Sequence, residues 1–220
     1  MQLGNPKNVL WEALLLTAVV FILGLFLGIA LESERLGKVN NYYAKSEISM
    51  IDILAFSEMI DSEELNCENL ILHNLEFADK IYNEALLLEK YEESGKITNQ
   101  IFIAHQKYDL LRTFLWDNVI KAKEKCKEDF SYVVYLYEYK TKDLTKKATY
   151  KVWSRVLFDL KGEFGNKIIL LSIAVDNDLI SLNYLISKFK ISKFPAVVID
   201  GKIVLYELST SEELEKYIVS

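Results

Sequence analysis

Hydrophobic patterning divides the chain into three regions, the first of which is an uncharged apolar run. ALLLTAVVFILGLFLGIAL occupies residues 13–31. A helix rising about 1.5 Å per residue needs roughly 20 apolar residues to cross the hydrocarbon core of a bilayer. Signal peptides have a shorter apolar core and a small-residue cleavage site, whereas ALESERLG, which follows here, is a poor one. We therefore predict a tail and an uncleaved membrane anchor over residues 1–31.

A polar stretch and then a helical pattern follow the anchor. Residues 32–46 have the composition of a juxtamembrane linker, and residues 47–129 are interpreted as a helical region. Within that region, EISMIDILAFSEMI predicts a short, very apolar first helix. The segment DSEEL then offers side chains that commonly cap a helix N-terminus, so it predicts the start of a second helix.

Two long helices are predicted to pair as an antiparallel hairpin. The second helix extends to about Tyr91, EESGK interrupts it at Gly95, and a third helix runs from about Ile97 to Lys127. A short connection makes such helices antiparallel neighbours. Apolar positions recur at spacings of three and four, as expected for helices that pack together. These stripes are Cys67, Ile71, Leu75, Ala78, Tyr82 and Ala85 on the second helix, and Ile97, Ile101, Ala104, Tyr108, Leu111, Leu115, Val119, Ala122 and Cys126 on the third.

From residue 130 the pattern alternates between strands and helices. FSYVVYLYEY and NKIILLSIAVD are typical of strands, and DLTKKATYKVWSRVLFDLKGEFG and DLISLNYLISKFK of helices. ISKFPAVVIDGKIVLYEL then predicts a hairpin, because Asp-Gly suits a type I′ turn with positive φ at both central residues. A final helix is predicted over SEELEKYI, and Ser209 and Glu212 have the spacing of a capping box at its start. The predicted order is β-α-β-α-β-β-α, and the predicted fold class is mixed α and β.

This order, with Pro195 opening the third strand, resembles the thioredoxin fold. The resemblance covers residues 130–220 and is carried by YVVYLYEY, IILLSIAVD, ISKFPAVVIDGKIVLYEL and SEELEKYI. It implies that the Phe194–Pro195 bond is cis and faces the family's active-site groove. It also implies that the neighbouring backbone can pair with a bound extended peptide. Phe194 and Pro195 are therefore the candidate peptide-binding residues.

The chemistry of that family depends on a Cys-x-x-Cys motif after the first strand, where the helix N-terminus stabilises the thiolate. The matching segment here is KTKDLTKKATYK, which contains no cysteine. The resemblance therefore extends to the fold and not to dithiol exchange. The segment has two interpretations: a basic patch that meets an acidic partner or lipid head groups, or an ordinary solvated helix face. Its lysines are Lys140, Lys142, Lys146, Lys147 and Lys151.

The cysteines and histidines all fall in the helical region. Measured along the predicted hairpin at about 1.5 Å per residue, His73 and His105 lie on the order of 18 Å apart, too far for one zinc site. Cys67 and Cys126 lie at similar depths on facing stripes, within reach of a disulfide. We expect a structural disulfide, two buried free thiols being the alternative. No metal and no cofactor is predicted.

Charge and the anchor give further expectations about partners and membrane orientation. The net charge of −6, with both signs interspersed and no recognition motif, argues against a nucleic-acid partner. Gly24 and Gly28 form a GxxxG pair that allows two membrane helices to approach closely as a homodimer. Lys7 before the anchor, against Arg35 and Lys38 after it, favours a cytoplasmic soluble part. The expected disulfide and the resemblance favour the opposite side, and we predict an extracytoplasmic soluble part.

No catalytic motif supports an enzyme. A Gly-rich phosphate loop, HExxH and GxSxG are all missing from the sequence. We therefore expect a single-pass, non-catalytic thioredoxin-like binding or scaffold protein at the membrane, with an unidentified protein or peptide partner. The alternative is a redox-linked accessory enzyme that uses Cys67 and Cys126 reversibly. A cysteine-independent, transferase-like use of the fold is the weaker enzymatic interpretation, since no nucleophile or substrate site supports it.

Overall fold

From residue 131 onward the strands and helices follow the predicted order β-α-β-α-β-β-α, and the fold class is mixed α and β. The structure, a computed structural model, describes residues 6–62, 66–93, 99–126 and 130–218. A four-stranded sheet follows three long helices. The elements are α1 Pro6–Ser62, α2 Cys67–Glu93, α3 Asn99–Lys125, β1 Ser131–Tyr137, α4 Leu144–Phe164, a 3-10 turn Gly165–Lys167, β2 Ile168–Ala174, α5 Ile180–Lys188, β3 Ala196–Ile199, β4 Ile203–Leu205 and α6 Ser211–Glu215.

Two compact units divide the chain, and the first comprises Met1–Glu47. Its segment Val9–Leu31 is long and apolar enough, by length and composition, to cross a membrane, and none of it is buried. Residues 32–46, predicted as a linker, are helical, and the helix predicted at 47–60 is the end of α1 rather than a separate element. Physically, 32–46 contain no proline and only one glycine, so nothing in them stops a helix.

The second unit, Ile48–Ser220, begins with packed helices. Ile53 and Ile60 of α1 are buried, and α3 buries most of its predicted stripe, including Leu111 and Leu115. Tyr82 is the exception on α2: half of it is exposed, so its assignment to the packed stripe was wrong. The predicted break at Gly95 and helix ends at Ile97 and Lys127 lie outside the described residues.

Asn66, rather than DSEEL, supplies the cap of α2. Residues 61–62 still belong to α1, and residues 63–65 lie outside the described part of the chain. The Asn66 side-chain oxygen accepts a hydrogen bond from the Glu68 amide at 2.9 Å, and its carbonyl accepts one from the Leu70 amide at 3.0 Å. Asparagine is among the best N-cap residues, so the cap is a local feature that the sequence contained.

The sheet has the order β2-β1-β3-β4. Strands β1 and β2 are parallel, whereas β3 is antiparallel to both β1 and β4. In the β3–β4 hairpin, Asp200 and Gly201 have φ of 51° and 65°, as the Asp-Gly prediction required. Gly201 is needed for space as well, because a Cβ there would lie 2.6 Å from the Tyr132 hydroxyl.

Helices cover both faces of the sheet. Because side chains alternate along a strand, Val133 and Tyr135 of β1 face one side, and they pack with Trp153 and Leu157 of α4. The opposite residues of β1 join a core that also contains residues of α1, α2, α3 and α5. The helical residues and the sheet therefore share one core within the second unit. The domain boundaries predicted at residues 31, 46 and 129 stay predictions.

The capping box of α6 lies one residue later than predicted. Thr210, not Ser209, accepts from the Glu213 amide at 3.3 Å, and the Glu213 carboxylate accepts from the Thr210 amide at 3.1 Å. Ser209 instead donates to the carbonyl of Glu207 at 3.4 Å. Both pairs fit the same sequence pattern, and only the path of the chain after β4 decides between them.

Candidate functional site

The candidate site is the end of the sheet where β1 finishes and β3 begins. The Phe194–Pro195 bond, directly before β3, is cis. The β1–β3 ladder ends with the pair Leu136↔Ala196. Continued by one residue, this register places Pro195 opposite Tyr137 and on the same face of the sheet. Pro195 therefore opens β3 beside the last residue of β1.

Phe194 lies just beyond the end of this ladder. The Asp200 amide donates to the Tyr132 carbonyl at 3.0 Å, which marks 132 and 200 as a hydrogen-bonded pair. Such pairs alternate along an antiparallel ladder, so Phe194 and Glu138 would form the next one after Leu136↔Ala196. The ladder stops before that pair. The main chain of Phe194 is thus at a strand end from which further pairing can extend.

The N-terminus of α4 lies at the same end of the sheet. Asp143 caps this helix, and its carboxylate accepts from the amides of Thr145 at 2.8 Å and Lys146 at 3.2 Å. Leu144, the first residue of α4, is 79% exposed. The helix therefore begins with an exposed apolar side chain next to the carboxylate that caps it.

An exposed apolar residue also begins α5. Ile180 is 88% exposed and directly follows the loop after β2. Parallel strands β1 and β2 finish at the same end of the sheet, so α4 and α5, which follow them, both begin there. Leu144 and Ile180 therefore place an exposed apolar side chain at the start of each of these two helices.

A shallow pocket of about 370 Å³ opens between the end of β1 and α4. The Glu138 carboxylate accepts from the Lys146 ammonium at 2.6 Å and from the Tyr150 hydroxyl at 2.7 Å. The ring of Tyr137 stacks on Tyr135 at 5.4 Å between centroids. The pocket is lined by Tyr137, Glu138, Tyr139, Lys147, Tyr150, Lys151 and Ser154. Phe194 and Pro195 do not line this pocket, but Tyr137, which does, is the residue that the continued register places opposite Pro195.

Electrostatics fix the protonation states in this pocket. The hydrogen bond from Lys146, followed by that from Tyr150, lowers the pKa of Glu138 below its usual value. Burial, together with the Glu138 carboxylate, raises the pKa of Tyr150. At neutral pH Glu138 is therefore ionised and Tyr150 protonated. Neither group has a pKa near neutrality, which general acid–base catalysis favours.

The loop between β1 and α4 is fixed by the residues after β2. The Asp176 carboxylate accepts from the amides of Tyr139 at 2.9 Å and Lys140 at 2.6 Å. The Lys140 ammonium donates to the Asp176 carbonyl and lies 3.9 Å from the centroid of the Phe102 ring on α3. His105 of α3 stacks on Tyr139 at 4.3 Å. Phe102 and His105, near the start of α3, therefore contact the loop between β1 and α4.

The five lysines of the predicted patch separate into two groups. Lys140 and Lys146 are held by the contacts described above. Lys142, Lys147 and Lys151 are exposed, and no described residue pairs with their ammonium groups. Lys147 and Lys151 line the pocket. Two of the five lysines therefore have partners, and two of the unpaired lysines line the pocket of the candidate site.

Cys67 and Cys126 form a disulfide, with Cα atoms 5.6 Å apart. Cys67 is the first residue of α2 and is partly exposed, and Cys126, just after α3, is buried. The bond joins the start of α2 to the end of α3, as the predicted hairpin required. Beside it, the ammonium of Lys125 donates to the carbonyl of Ile60 in α1.

A buried aspartate connects α3 to the sheet. Asp109 has no exposed surface, and its carboxylate accepts from the Ala174 amide at 3.1 Å, from the Asn177 side chain, and from Arg112 at 3.3 Å. Burial raises its pKa, against the opposing effects of the Arg112 charge, the Ala174 amide and His105. The cluster fixes the end of β2 and so supports the loop that carries Asp176.

The remaining predicted residues do not join the site. His73 pairs with Glu76 at 3.3 Å and packs against Phe56, while His105 lies on α3 beside Tyr139. Within the described residues, no group of three or more His, Cys, Asp or Glu could hold a metal ion. Gly24 and Gly28 lie on the apolar segment of α1, and a Cβ at either would meet nothing within 4 Å.

Sequence reasoning missed the Glu138–Lys146–Tyr150 cluster and Asp109. A signal for the first existed: an acid at a strand end, followed by a lysine and a tyrosine four residues apart on the next helix. Asp109 gave no such signal, because its partners Ala174 and Asn177 are more than 60 residues away. A comparison with models of known protein families found no match, and a comparison with curated proteins found none either.

Proposed function

We propose that this chain is a single-pass membrane protein whose C-terminal part is a non-catalytic thioredoxin-like binding or scaffold module. Its site holds an extended protein segment at Phe194 and Pro195. The observation that carries this proposal is the β1–β3 ladder, which ends one hydrogen-bonded position before Phe194. An extended segment can continue pairing from such a strand end, as in recognition by strand addition.

The strand arrangement supports the thioredoxin-like assignment. The order β2-β1-β3-β4, with a parallel first pair and an antiparallel hairpin, fits the β-α-β-α-β-β-α arrangement that the resemblance implies. Helices on both faces and Pro195 at the start of β3 agree with it.

The chemistry at the start of α4 supports a binding role over dithiol exchange. A helix N-terminus lowers the pKa of a thiol by stabilising the thiolate. Here the amides that would do so are bonded to the Asp143 carboxylate, and Leu144 projects into solvent. Exposed Leu144 and Ile180 give an incoming segment apolar surface to cover.

Two features support an outward-facing membrane location. Val9–Leu31 can span a bilayer by length and composition. The Cys67–Cys126 disulfide is of a kind that persists in oxidising compartments and is rare in the cytosol. The lysine and arginine count around the anchor points the other way, and we give the disulfide more weight. Self-association through Gly24 and Gly28 is a further part of the proposal.

Pro195→Ala tests the site, and Pro6→Ala is the matched control, since these are the chain's two prolines. Partners are cross-linked in native membranes, and the amount retained by each variant is compared with the wild type. We expect Pro195→Ala to lose most of the retained partner while Pro6→Ala keeps it, with unchanged melting temperatures. Equal retention by a folded Pro195→Ala variant would remove the site assignment.

The second candidate is a redox-linked accessory protein that opens and closes the Cys67–Cys126 bond. It is favoured by Cys67, which is partly exposed at the first position of a 27-residue helix, where the helix dipole stabilises a thiolate. The reduction potential separates the two functions. A value below about −300 mV marks the bond as structural, whereas a value near that of redox-active dithiols supports the second candidate.

A further inference from the structure

The pocket between the end of β1 and α4 contains more positive than negative charge. Its one carboxylate, Glu138, is neutralised by Lys146 at 2.6 Å and also bonded to Tyr150. Lys147 and Lys151 line the same pocket. Both are exposed, and no described residue pairs with either ammonium group. Two cations are therefore available to a ligand.

This local excess is opposite to the charge of the whole protein. The chain has a net charge of −6, so two unpaired lysines in one pocket are opposite in sign to the charge of the protein as a whole. Charges near a cleft raise the local concentration of oppositely charged ligands. The pocket therefore selects for a negatively charged occupant.

The spacing of the two lysines fits an extended chain. Residues four apart on a helix lie on one face, separated by about 6 Å along its axis. Alternate residues of a strand also share a face and lie about 6.6 Å apart. Two acidic side chains separated by one residue in an extended segment would therefore match Lys147 and Lys151.

The surroundings favour a polypeptide over a lipid head group. Tyr137 and Tyr150 form aromatic walls of the pocket. The strand end at Phe194 comes one residue before Pro195, which the continued register places opposite the pocket-lining Tyr137. A main chain has the donors and acceptors to pair at Phe194, and a head group does not offer them in series.

We propose that the segment held at this site is acidic, with two Asp or Glu residues separated by one residue that contact Lys147 and Lys151. This inference rests on the proposed function and names the partner chemistry of the same site. The segment pairs with the main chain at Phe194, and its acidic side chains lie on the face towards α4.

Fluorescently labelled 12-residue peptides test this chemistry. The full chain is placed in phosphatidylcholine nanodiscs and titrated with peptides that differ only at the two positions: Glu-x-Glu, Gln-x-Gln, Lys-x-Lys and adjacent Glu-Glu. We expect Glu-x-Glu to bind about two- to thirtyfold more tightly than Gln-x-Gln, which is the range that two exposed ion pairs allow. Adjacent Glu-Glu should bind more weakly, and added salt should reduce the difference.

Charge reversal locates the effect. Lys147→Glu/Lys151→Glu should lose the preference for Glu-x-Glu and favour Lys-x-Lys instead. The matched control, Lys167→Glu/Lys202→Glu, changes exposed lysines at the other end of the sheet and should bind as the wild type does. Melting temperatures confirm that each variant folds.

Three results would overturn the proposal. The first is equal binding of all four peptides, and the second is no binding of any. The third is charge reversal that weakens attachment to phosphatidylglycerol vesicles while leaving peptide binding unchanged, which would assign the lysines to lipid. None of these results decides the proposed function, which is judged from partner retention by Pro195→Ala in native membranes.

Discussion

Asp109 shows how one buried residue supports the site without touching it. Its carboxylate holds the Ala174 amide and Asn177 at the end of β2, with Arg112 beside it on α3. Two residues beyond Ala174, Asp176 holds the loop that leads to α4. A buried charge that loses its partners costs free energy. The cluster is therefore a structural requirement of the candidate site.

We expect Asp109→Ala to lower the free energy of unfolding by about 1–3 kcal/mol, because buried donors lose their acceptor. Asp117 is a partly exposed aspartate of the same helix that pairs with Lys121, and Asp117→Ala should cost much less. Chemical denaturation of the full chain in detergent measures both. Equal costs for the two variants would contradict the role given to Asp109.

The same residue gives the protein a pH dependence of known sign. Burial raises the pKa of Asp109, so the folded state binds a proton that the unfolded state releases above about pH 3.9. The free energy of unfolding therefore falls as pH rises from there through the raised pKa. Arg112 and His105, which both act on this carboxyl, remain in the Asp109→Ala variant, which should lose this slope. An unchanged slope would contradict the assignment.

The dependence of stability on pH that comes from Glu138 has the opposite sign. Its pKa is lowered, first by the hydrogen bond from Lys146 and then by that from Tyr150. Stability from this contact is present above the usual glutamate pKa and is lost as pH falls through the lowered one. We expect Lys146→Met to raise the pKa of Glu138 towards its usual value, because the largest cause of the lowering is removed, and carboxyl NMR titration measures this change. Lys147→Met should leave it unchanged, and the same shift in both variants would contradict the pairing.

At the scale of elements, local signals were the most predictive. Asp200 and Gly201 tolerate the positive φ that their turn requires, so the β3–β4 hairpin could be predicted from a short stretch of sequence. The continuity of α1 could not be predicted, because the polar composition of residues 32–46 fits a linker and a solvated helix equally well. The choice between Thr210 and Ser209 as a cap was likewise made by the path of the chain.

The disulfide is the strongest constraint on the helical elements. It closes a loop between residues 59 apart, for which the chain-entropy model gives about 4 kcal/mol. We expect Cys67→Ser/Cys126→Ser to lower the free energy of unfolding by about 2–4 kcal/mol. The control is wild-type protein under reducing conditions, which should match the variant. A variant as stable as the oxidised wild type would contradict a structural role.

For the whole molecule, the disulfide and the anchor together lead to a prediction of orientation. Val9–Leu31 can span a membrane, and Cys67 and Cys126 follow it in the chain. If the soluble part faces outward, both cysteines should be oxidised in native membranes when free thiols are blocked at once and the peptides are mass-mapped. Two blocked thiols would place the soluble part on the cytosolic side, where the lysine count points.

The organisation of the second unit explains why the site was only partly predictable. Pro195 and its strand were recognisable from a short segment, but the pocket beside them combines the end of β1 with a face of α4. The supporting contacts come from α3, through Phe102, His105 and Asp109. Such contacts depend on helices packing against the sheet, which periodicity along the chain does not specify.

The proposed binding role requires that a partner segment lies against Phe194. A photo-cross-linking amino acid at position 194 of the full chain, activated in native membranes, tests this directly, with position 202 at the opposite end of the sheet as control. The predicted result is a cross-linked protein at 194 that is lost on Pro195→Ala and is not formed from 202. Equal cross-linking from both positions, or none from 194, would contradict a binding site at this end of the sheet.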